Sequence, residues 1–91
     1  MKVRYTPGAL RQLDKVLDYI EKRSPQGARH VKERIQAIVR ILTDHPLAGG
    51  ATDRPGQRRM VTSPYPYAIF YRVRDDEVII QRIRHTARRP V

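Results

Sequence analysis

Two stretches near the C-terminus decide the fold: residues 66–74, Pro-Tyr-Ala-Ile-Phe-Tyr-Arg-Val-Arg, and residues 77–85, Glu-Val-Ile-Ile-Gln-Arg-Ile-Arg-His. Both runs are rich in β-branched and aromatic residues, which is the composition of β-strands. Only Asp75 and Asp76 separate them, and a short turn between such runs predicts a β-hairpin. Arginines occur in both strands, so we expect the hairpin to face an anionic partner.

Two amphipathic helices are predicted upstream of this hairpin. Thr6-Pro7 and Ser24-Pro25 each place a capping hydroxyl before a proline at the first helical position. We therefore expect helices over residues 7–22 and over residues 25 to 42 or 43. Only one or two residues separate them, which predicts an antiparallel helical hairpin. Apolar residues recur at helical spacing in both segments. They are Ala9, Leu10, Leu13, Val16, Leu17 and Ile20, then Ala28, Val31, Ile35, Ile38, Val39 and Leu42.

The remaining segments complete a β-α-α-β-β-β order. Residues 2–5 and 58–62 read as strands, residues 47–57 as a loop punctuated by glycine and proline, and residues 63–66 as a turn. Strands that bracket a helical pair predict an α+β fold, with the helices packed on one face of a small, mainly antiparallel sheet. The length predicts a single domain over residues 1–91.

Strand alternation assigns the side chains of the predicted hairpin to two faces. A two-residue turn pairs Arg74 with Glu77 and, without a bulge, Ile69 with Arg82. The face that packs on the helices then carries Tyr67, Ile69, Tyr71, Val73, Val78 and Ile80. The open face carries Ala68, Phe70, Arg72, Arg74, Ile79, Gln81, Ile83 and His85. Arg82 and Arg84 fall on the packed side, and we expect them near the sheet end, beyond the helices. A bulge would change this assignment.

Charge restricts the class of partner. The 91 residues carry 19 basic and 9 acidic side chains, a net charge of +10, and every basic residue after position 53 is arginine. Arginine suits phosphate and carboxylate groups, so nucleic acid or an acidic protein segment is the expected partner; the alternative is a basic surface that serves solubility. The chain has no cysteine, no membrane-length apolar run and no apolar signal-like start. A cytoplasmic location is therefore expected.

The sequence resembles the RelE/ParE superfamily of toxins from type II toxin–antitoxin modules, and the ParE branch is the most similar. The resemblance spans nearly the whole chain and is carried by Arg58–Val61, Tyr65–Val73 and Val78–Pro90. Ribonuclease members typically have an arginine where this chain has Ala68 and a tyrosine where it has Thr86. These departures favour the ParE branch.

The resemblance implies a function and partners. A ParE-like toxin would inhibit DNA gyrase, contribute to plasmid stabilisation and be neutralised by a cognate ParD-like antitoxin, through which it would associate with DNA indirectly. The alternatives are a RelE-type, ribosome-dependent mRNA endoribonuclease and a nucleic-acid-binding module without toxicity. No cofactor is expected, and three dispersed histidines give no metal signature.

Two groups of candidate site residues follow. Arg58, Arg59, Arg72, His85 and Arg88 are expected to contact the target, and His85 would act as general acid or base if the protein were a nuclease. The alternatives are a solvated basic face and a histidine that hydrogen-bonds locally at a strand end. Apolar residues outside the helical stripes are expected to bind the antitoxin. They are Tyr19, Ala37 and Ile41.

Overall fold

A computed structural model describes residues 1–87 and confirms the α+β class, with two helices packed on a five-stranded sheet. The candidate target contact Arg88 lies outside the described residues. The elements are β1 (Lys2–Tyr5), α1 (Pro7–Glu21), α2 (Pro25–Asp44), β2 (Gly50–Ala51), β3 (Gln57–Val61), β4 (Tyr67–Arg74) and β5 (Glu77–His85).

Both helices begin at the predicted caps. Thr6 Oγ1 accepts a hydrogen bond from the Ala9 amide at 3.1 Å, and Ser24 Oγ accepts one from the Gly27 amide at 3.0 Å. Each bond satisfies one of the amides that a helix leaves without an internal partner at its N-terminus. The starts are therefore set locally, whereas α2 continues to Asp44, slightly beyond the predicted end.

The sheet order is β1-β5-β4-β3-β2. Strand β1 pairs with β5 in parallel, and the other neighbouring strands are antiparallel. The prediction of a loop over residues 47–57 is wrong at Gly50 and Ala51, which pair with Arg59 and Arg58 as the short edge strand β2. Neither residue has strand-forming character by itself, so the pairing depends on the neighbouring strand β3.

The covered face of the sheet, defined as the face toward the helices, forms the core with the buried stripes of α1 and α2. The sheet residues of this core are Tyr67, Ile69, Tyr71, Val78, Ile80 and Ile83, and the helical ones are Ala9, Val31, Ile35, Ile38, Val39 and Leu42. The phenol of Tyr5 is also partly buried there, and burial raises its pKa because the charged form loses hydration.

A β-bulge at Gln81 divides the central hairpin into two registers. Near the turn, Arg74 pairs with Glu77 and Tyr71 with Ile80, as predicted. In the half of the hairpin away from the turn, Phe70 pairs with Arg82 and Ile69 pairs with Ile83. Gln81 is the extra residue of β5. The predicted pairing of Ile69 with Arg82 is therefore wrong.

The bulge reverses the facing predicted for the last four residues of β5. Ile83 lies on the covered face with 2% of its surface exposed, and His85 pairs with Tyr67 on the same side. Arg82 and Arg84 lie on the opposite, open face, beside Phe70 and Ala68. The reason is energetic, because a regular strand would expose Ile83 and direct two arginines toward an apolar core.

The segment that follows β1 binds the backbone of β5 near the bulge. The Thr6 amide donates to the Ile80 carbonyl at 3.0 Å, and Thr6 Oγ1 donates to the Gln81 carbonyl at 3.3 Å. The Ile83 amide donates to Gln12 Oε1 of α1 at 2.8 Å. These bonds replace the pairing that β1 no longer provides after Tyr5, and they fix α1 against β5.

We predict that deletion of Gln81 leaves the fold intact. Removal of the extra residue converts the bulge to a regular ladder in which Ile83 still faces the core and Arg82 and Arg84 still face outward. The free energy of unfolding should fall by about 1–3 kcal/mol because polar contacts of Gln81 are lost. Urea titration followed by circular dichroism gives this value.

The matched control is deletion of Phe70, which lies next to the bulge on the paired strand β4. That deletion turns Ile69 and Tyr67 out of the core, so the protein should lose its cooperative unfolding transition. If the Gln81 deletion unfolds the protein as completely as the Phe70 deletion does, the facing assigned to the bulge is wrong.

Candidate functional site

The open face of the sheet is strongly basic. Its charged side chains come from four strands, and the only carboxylate that the described residues place on this face is Glu77. Glu77 forms an ion pair with Arg4 at 3.1 Å, and Asp75 and Asp76 lie in the adjoining turn. The basic residues of the face are Lys2, Arg4, Arg59, Arg72, Arg74, Arg82 and Arg84.

The end of the open face away from this turn has positive charge that no carboxylate of residues 1–87 neutralises. Arg59, Phe70 and Arg82 lie side by side on β3, β4 and β5, and Arg84 follows two residues along β5. Within residues 1–87, Arg82 and Arg84 form neither a side-chain hydrogen bond nor an ion pair. We call Arg59, Phe70, Arg82 and Arg84 the Phe70 cluster.

The Phe70 cluster places an aromatic ring beside three arginines on the open face. The guanidinium carbon of Arg59 lies 6.0 Å from the centroid of the Phe70 ring, the outer limit of a cation–π contact. Ala68, next to Arg84 in the register, is 1% exposed and adds no charge. The Phe70 cluster thus offers a half-buried aromatic ring and three arginines on one patch of the open face.

Arg72 lies on the same face but has a partner. Its guanidinium Nη1 donates a hydrogen bond to the carbonyl of Pro55 at 2.6 Å, which ties the β2–β3 loop to the sheet. The buried Gln57 side chain accepts from Thr52 Oγ1 at 3.0 Å and donates to Gln81 Oε1 at 3.3 Å. These bonds fix the loop on the open face, and the bond to the Pro55 carbonyl uses part of the donor capacity of Arg72.

Arg58 is directed away from the open face. It pairs with Tyr71 of the core, and its Nη1 donates to the carbonyls of Leu47 and Gly49, at 3.3 and 2.7 Å. The Tyr71 hydroxyl donates to the Pro46 carbonyl at 2.8 Å and accepts from the Gly49 amide at 2.9 Å. Together these contacts hold the segment after α2, so a structural role accounts for Arg58.

The structure also separates His85 from the other candidate target contacts. Its ring packs edge-on against Tyr67 with centroids 5.3 Å apart, and its Nδ1 accepts a hydrogen bond from the Ala87 amide at 3.1 Å. The expectation that His85 shares the open face with Ala68 is wrong, because the bulge turns its side chain to the covered side. The local hydrogen bond matches the structural alternative for this residue.

The candidate antitoxin contacts occupy two places on the helical hairpin. Ala37 and Ile41 lie one turn apart on α2, and Ile41 is 41% exposed. Tyr19 is near the other end of the hairpin, with the Arg23 guanidinium 4.0 Å from its ring centroid. Ala37 lines an open groove of about 410 Å³ between α2 and the β3–β4 turn. Its other lining residues are His30, Glu33, Arg34, Ser63, Pro64 and Tyr65.

Comparison with known proteins defines the class. The family described as ParE toxin of type II toxin-antitoxin system, parDE, matches residues 3–90. The chain therefore belongs to the ParE toxin family and is the toxin of a type II toxin–antitoxin system.

Individual relatives agree with this assignment. Toxin RelE2 of Caulobacter vibrioides is 37% identical over 87 residues, which cover 96% of this chain and 97% of the relative. Y4kP of Sinorhizobium fredii, a candidate toxin by its name, is 40% identical over 83 residues, which cover 86% of this chain and 82% of that relative. A solved structure described as the chromosomal ParDE system from P. aeruginosa matches with a TM-score of 0.81 and 26% identity, covering 93% of this chain and 95% of that one.

Two further features of residues 1–87 limit the chemistry of this surface. No helix there is long and apolar enough to cross a membrane. The same residues contain no group of three or more histidine, cysteine, aspartate or glutamate side chains that could hold a metal ion.

We predict that Arg58→Ala and Arg59→Ala differ in their effect on stability although they are adjacent. Arg58→Ala removes the bonds to the Leu47 and Gly49 carbonyls and should lower the free energy of unfolding by about 1–2 kcal/mol. Arg59→Ala should change it by less than about 0.5 kcal/mol, because the Arg59 guanidinium is exposed. Urea titration of both variants measures the difference. Equal losses would show that Arg58 does not hold the loop.

Proposed function

We propose that this toxin inhibits DNA gyrase and that the open face of its sheet makes the target contact. Arg59 and Arg72, predicted from the sequence, lie on that face, and the bulge adds Arg82 and Arg84 to it. Arg88 remains a candidate contact because it follows this strand in the sequence. Gyrase acts on chromosomal and plasmid DNA in the cytoplasm, so this target agrees with the expected location.

The observation that carries this proposal is the lack of proton-transfer groups beside the Phe70 cluster within residues 1–87, since Lys2 and Glu77 lie at the opposite end of the open face. Cleavage of RNA by its own 2′-hydroxyl needs a general base and a general acid beside the phosphate. No histidine or tyrosine of the described chain lies on this face, and Glu77 is held by Arg4. His85, the sequence candidate for that role, faces the other side. The face therefore suits binding of a target better than cleavage of RNA.

A RelE-type ribonuclease is the second candidate. It is favoured by the relative named RelE2, which matches nearly the whole length of this chain. The open face also has arginines that would stabilise a pentavalent phosphate. The two candidates differ in target, so a direct comparison of both activities separates them.

We propose that the neutralising partner is a ParD-like antitoxin and that it binds the helical hairpin. Ala37 lines the groove beside α2, the exposed Ile41 lies one turn further along the helix, and Tyr19 gives a second exposed apolar contact. An amphipathic segment binds such a surface through apolar anchors at helical spacing. A net charge of +10 on the toxin favours an acidic segment. Association with DNA would then be indirect, through the antitoxin.

We predict that the purified toxin inhibits gyrase on supercoiled plasmid and leaves mRNA on translating ribosomes intact. The double variant Arg59→Ala, Arg84→Ala should raise the half-inhibitory concentration about tenfold or more, because each lost contact at an interface centre costs roughly 1 kcal/mol. The control Arg29→Ala, Arg40→Ala removes the same charge from exposed positions of α2 and should be neutral. Site-specific mRNA cleavage with unaffected gyrase would establish the ribonuclease instead.

We further predict that Ile41→Asp weakens antitoxin binding by more than about 1 kcal/mol, since it places a charge where an apolar anchor is expected. Isothermal titration with the cognate antitoxin measures the change, and Tyr19→Asp tests the second contact in the same way. Gln36→Asp is the matched control, because it adds the same charge to α2 on another side of the helix. Unchanged affinity for both Ile41→Asp and Tyr19→Asp would remove this surface as the binding site.

A further inference from the structure

We infer that the Phe70 cluster binds single-stranded nucleic acid directly, without the antitoxin and independently of the identity of the protein target. The relevant observation is a phenylalanine with arginines on both neighbouring strands and a third arginine two residues along β5, at an end of the open face where residues 1–87 place no carboxylate. Stacking of bases on an aromatic ring within a positively charged groove is how proteins hold single strands without reading their sequence.

The geometry of the cluster suits an extended strand. Arg59, Phe70 and Arg82 form one row across three neighbouring strands, and Arg84 begins the next row beside Ala68. Neighbouring strands are about 4.8 Å apart, so the two outer arginines of the first row have backbones roughly 10 Å apart, on either side of the ring. A base that stacks on Phe70 then places its flanking phosphates within reach of guanidinium groups on both sides.

The side chains of the cluster are available for a ligand. Arg82 and Arg84 have no hydrogen-bonding or ionic partner within residues 1–87. Arg59 lies at the outer limit of contact with the Phe70 ring and does not seal it. The buried Ala68 has no long side chain that would keep a strand away from this part of the sheet. Other arginines of the face, Arg4 and Arg72, are already bound to Glu77 and Pro55.

An acidic protein segment fits this cluster less well. A flexible acidic segment must become ordered when it binds, and it needs several apolar anchors to offset the conformational entropy that it loses, whereas a folded target is already ordered. The large apolar residues that are exposed lie elsewhere, on the helices, the first strand and the loop after α2. Phe70 is the one aromatic side chain that the described strands place on the open face. Nucleic-acid interfaces are more polar and much more basic, as this one is.

The test measures binding of fluorescein-labelled dT12 and rU12 to the purified toxin by fluorescence anisotropy at several salt concentrations. Arg82→Ala with Arg84→Ala should weaken binding at least tenfold and reduce the slope of log K against log salt by about 1.4, which corresponds to two fewer phosphate contacts. Phe70→Leu should weaken it at least about fivefold, the lower limit for loss of one stacked base. Arg29→Ala with Arg40→Ala, of the same charge, should leave binding within about twofold of the unaltered protein.

The outcomes separate a built site from general attraction between opposite charges. Thermal melting of each variant first establishes that it is folded, and Phe70→Tyr, which keeps the ring, should bind like the unaltered protein. The inference fails if the control pair loses as much affinity as Arg82→Ala with Arg84→Ala. It also fails if a twelve-residue polyglutamate or a duplex of the same sequence binds as tightly as dT12 with no dependence on Phe70. The ratio of dT12 to rU12 affinity identifies the preferred strand. None of these results depends on gyrase, so failure here leaves the proposed target untouched.

Discussion

The bulge at Gln81 is the constraint on which the two faces of this toxin depend. It places Ile83 in the core, where burial of such a side chain contributes about 2 kcal/mol, and turns Arg82 and Arg84 to solvent. A regular strand would direct both guanidinium groups toward apolar residues, at a cost that no carboxylate in the core of residues 1–87 offsets. Bonds from Thr6 and Gln12 to the backbone of β5 hold the strand in this form. An extra residue in one strand thus determines where the charge of the molecule lies.

The resulting molecule has two surfaces of different chemistry. The helical hairpin exposes scattered apolar residues beside a groove, whereas the open face of the sheet exposes arginines around one aromatic ring. Apolar anchors suit a protein segment that is folded or folds on binding, and a face with excess positive charge suits an anionic ligand. Because the surfaces lie on opposite sides of one small domain, different ligands can occupy them without sharing contact residues.

The directions of the side chains at the end of the hairpin show which chemical groups the open face can offer to a phosphate. The alanine at position 68 does not by itself distinguish this protein from a nuclease, because Arg84 lies directly beside Ala68 and supplies positive charge. The stronger argument is the direction of His85, which packs on Tyr67 and accepts from the Ala87 amide on the covered side. Positive charge stabilises a phosphate, but transfer of protons needs a titratable group next to it. Within residues 1–87, the Phe70 cluster has the first property and not the second, because Lys2 and Glu77 lie at the other end of the open face.

The sequence by itself determined the class, the two helix starts, the turn at Asp75 and Asp76, and most of the core. These features depend on local signals: Thr6 and Ser24 cap their own helices, and alternation over short strands is preserved near a tight turn. Tertiary structure alone decided the pairing of Gly50 and Ala51, the use of Arg58 and Tyr71 to hold the loop after α2, and the bulge. Each of these requires a partner distant in sequence. A bulge has no fixed signature in the local sequence, because the extra residue is accommodated only where contacts from the neighbouring strands and the covering helix stabilise it.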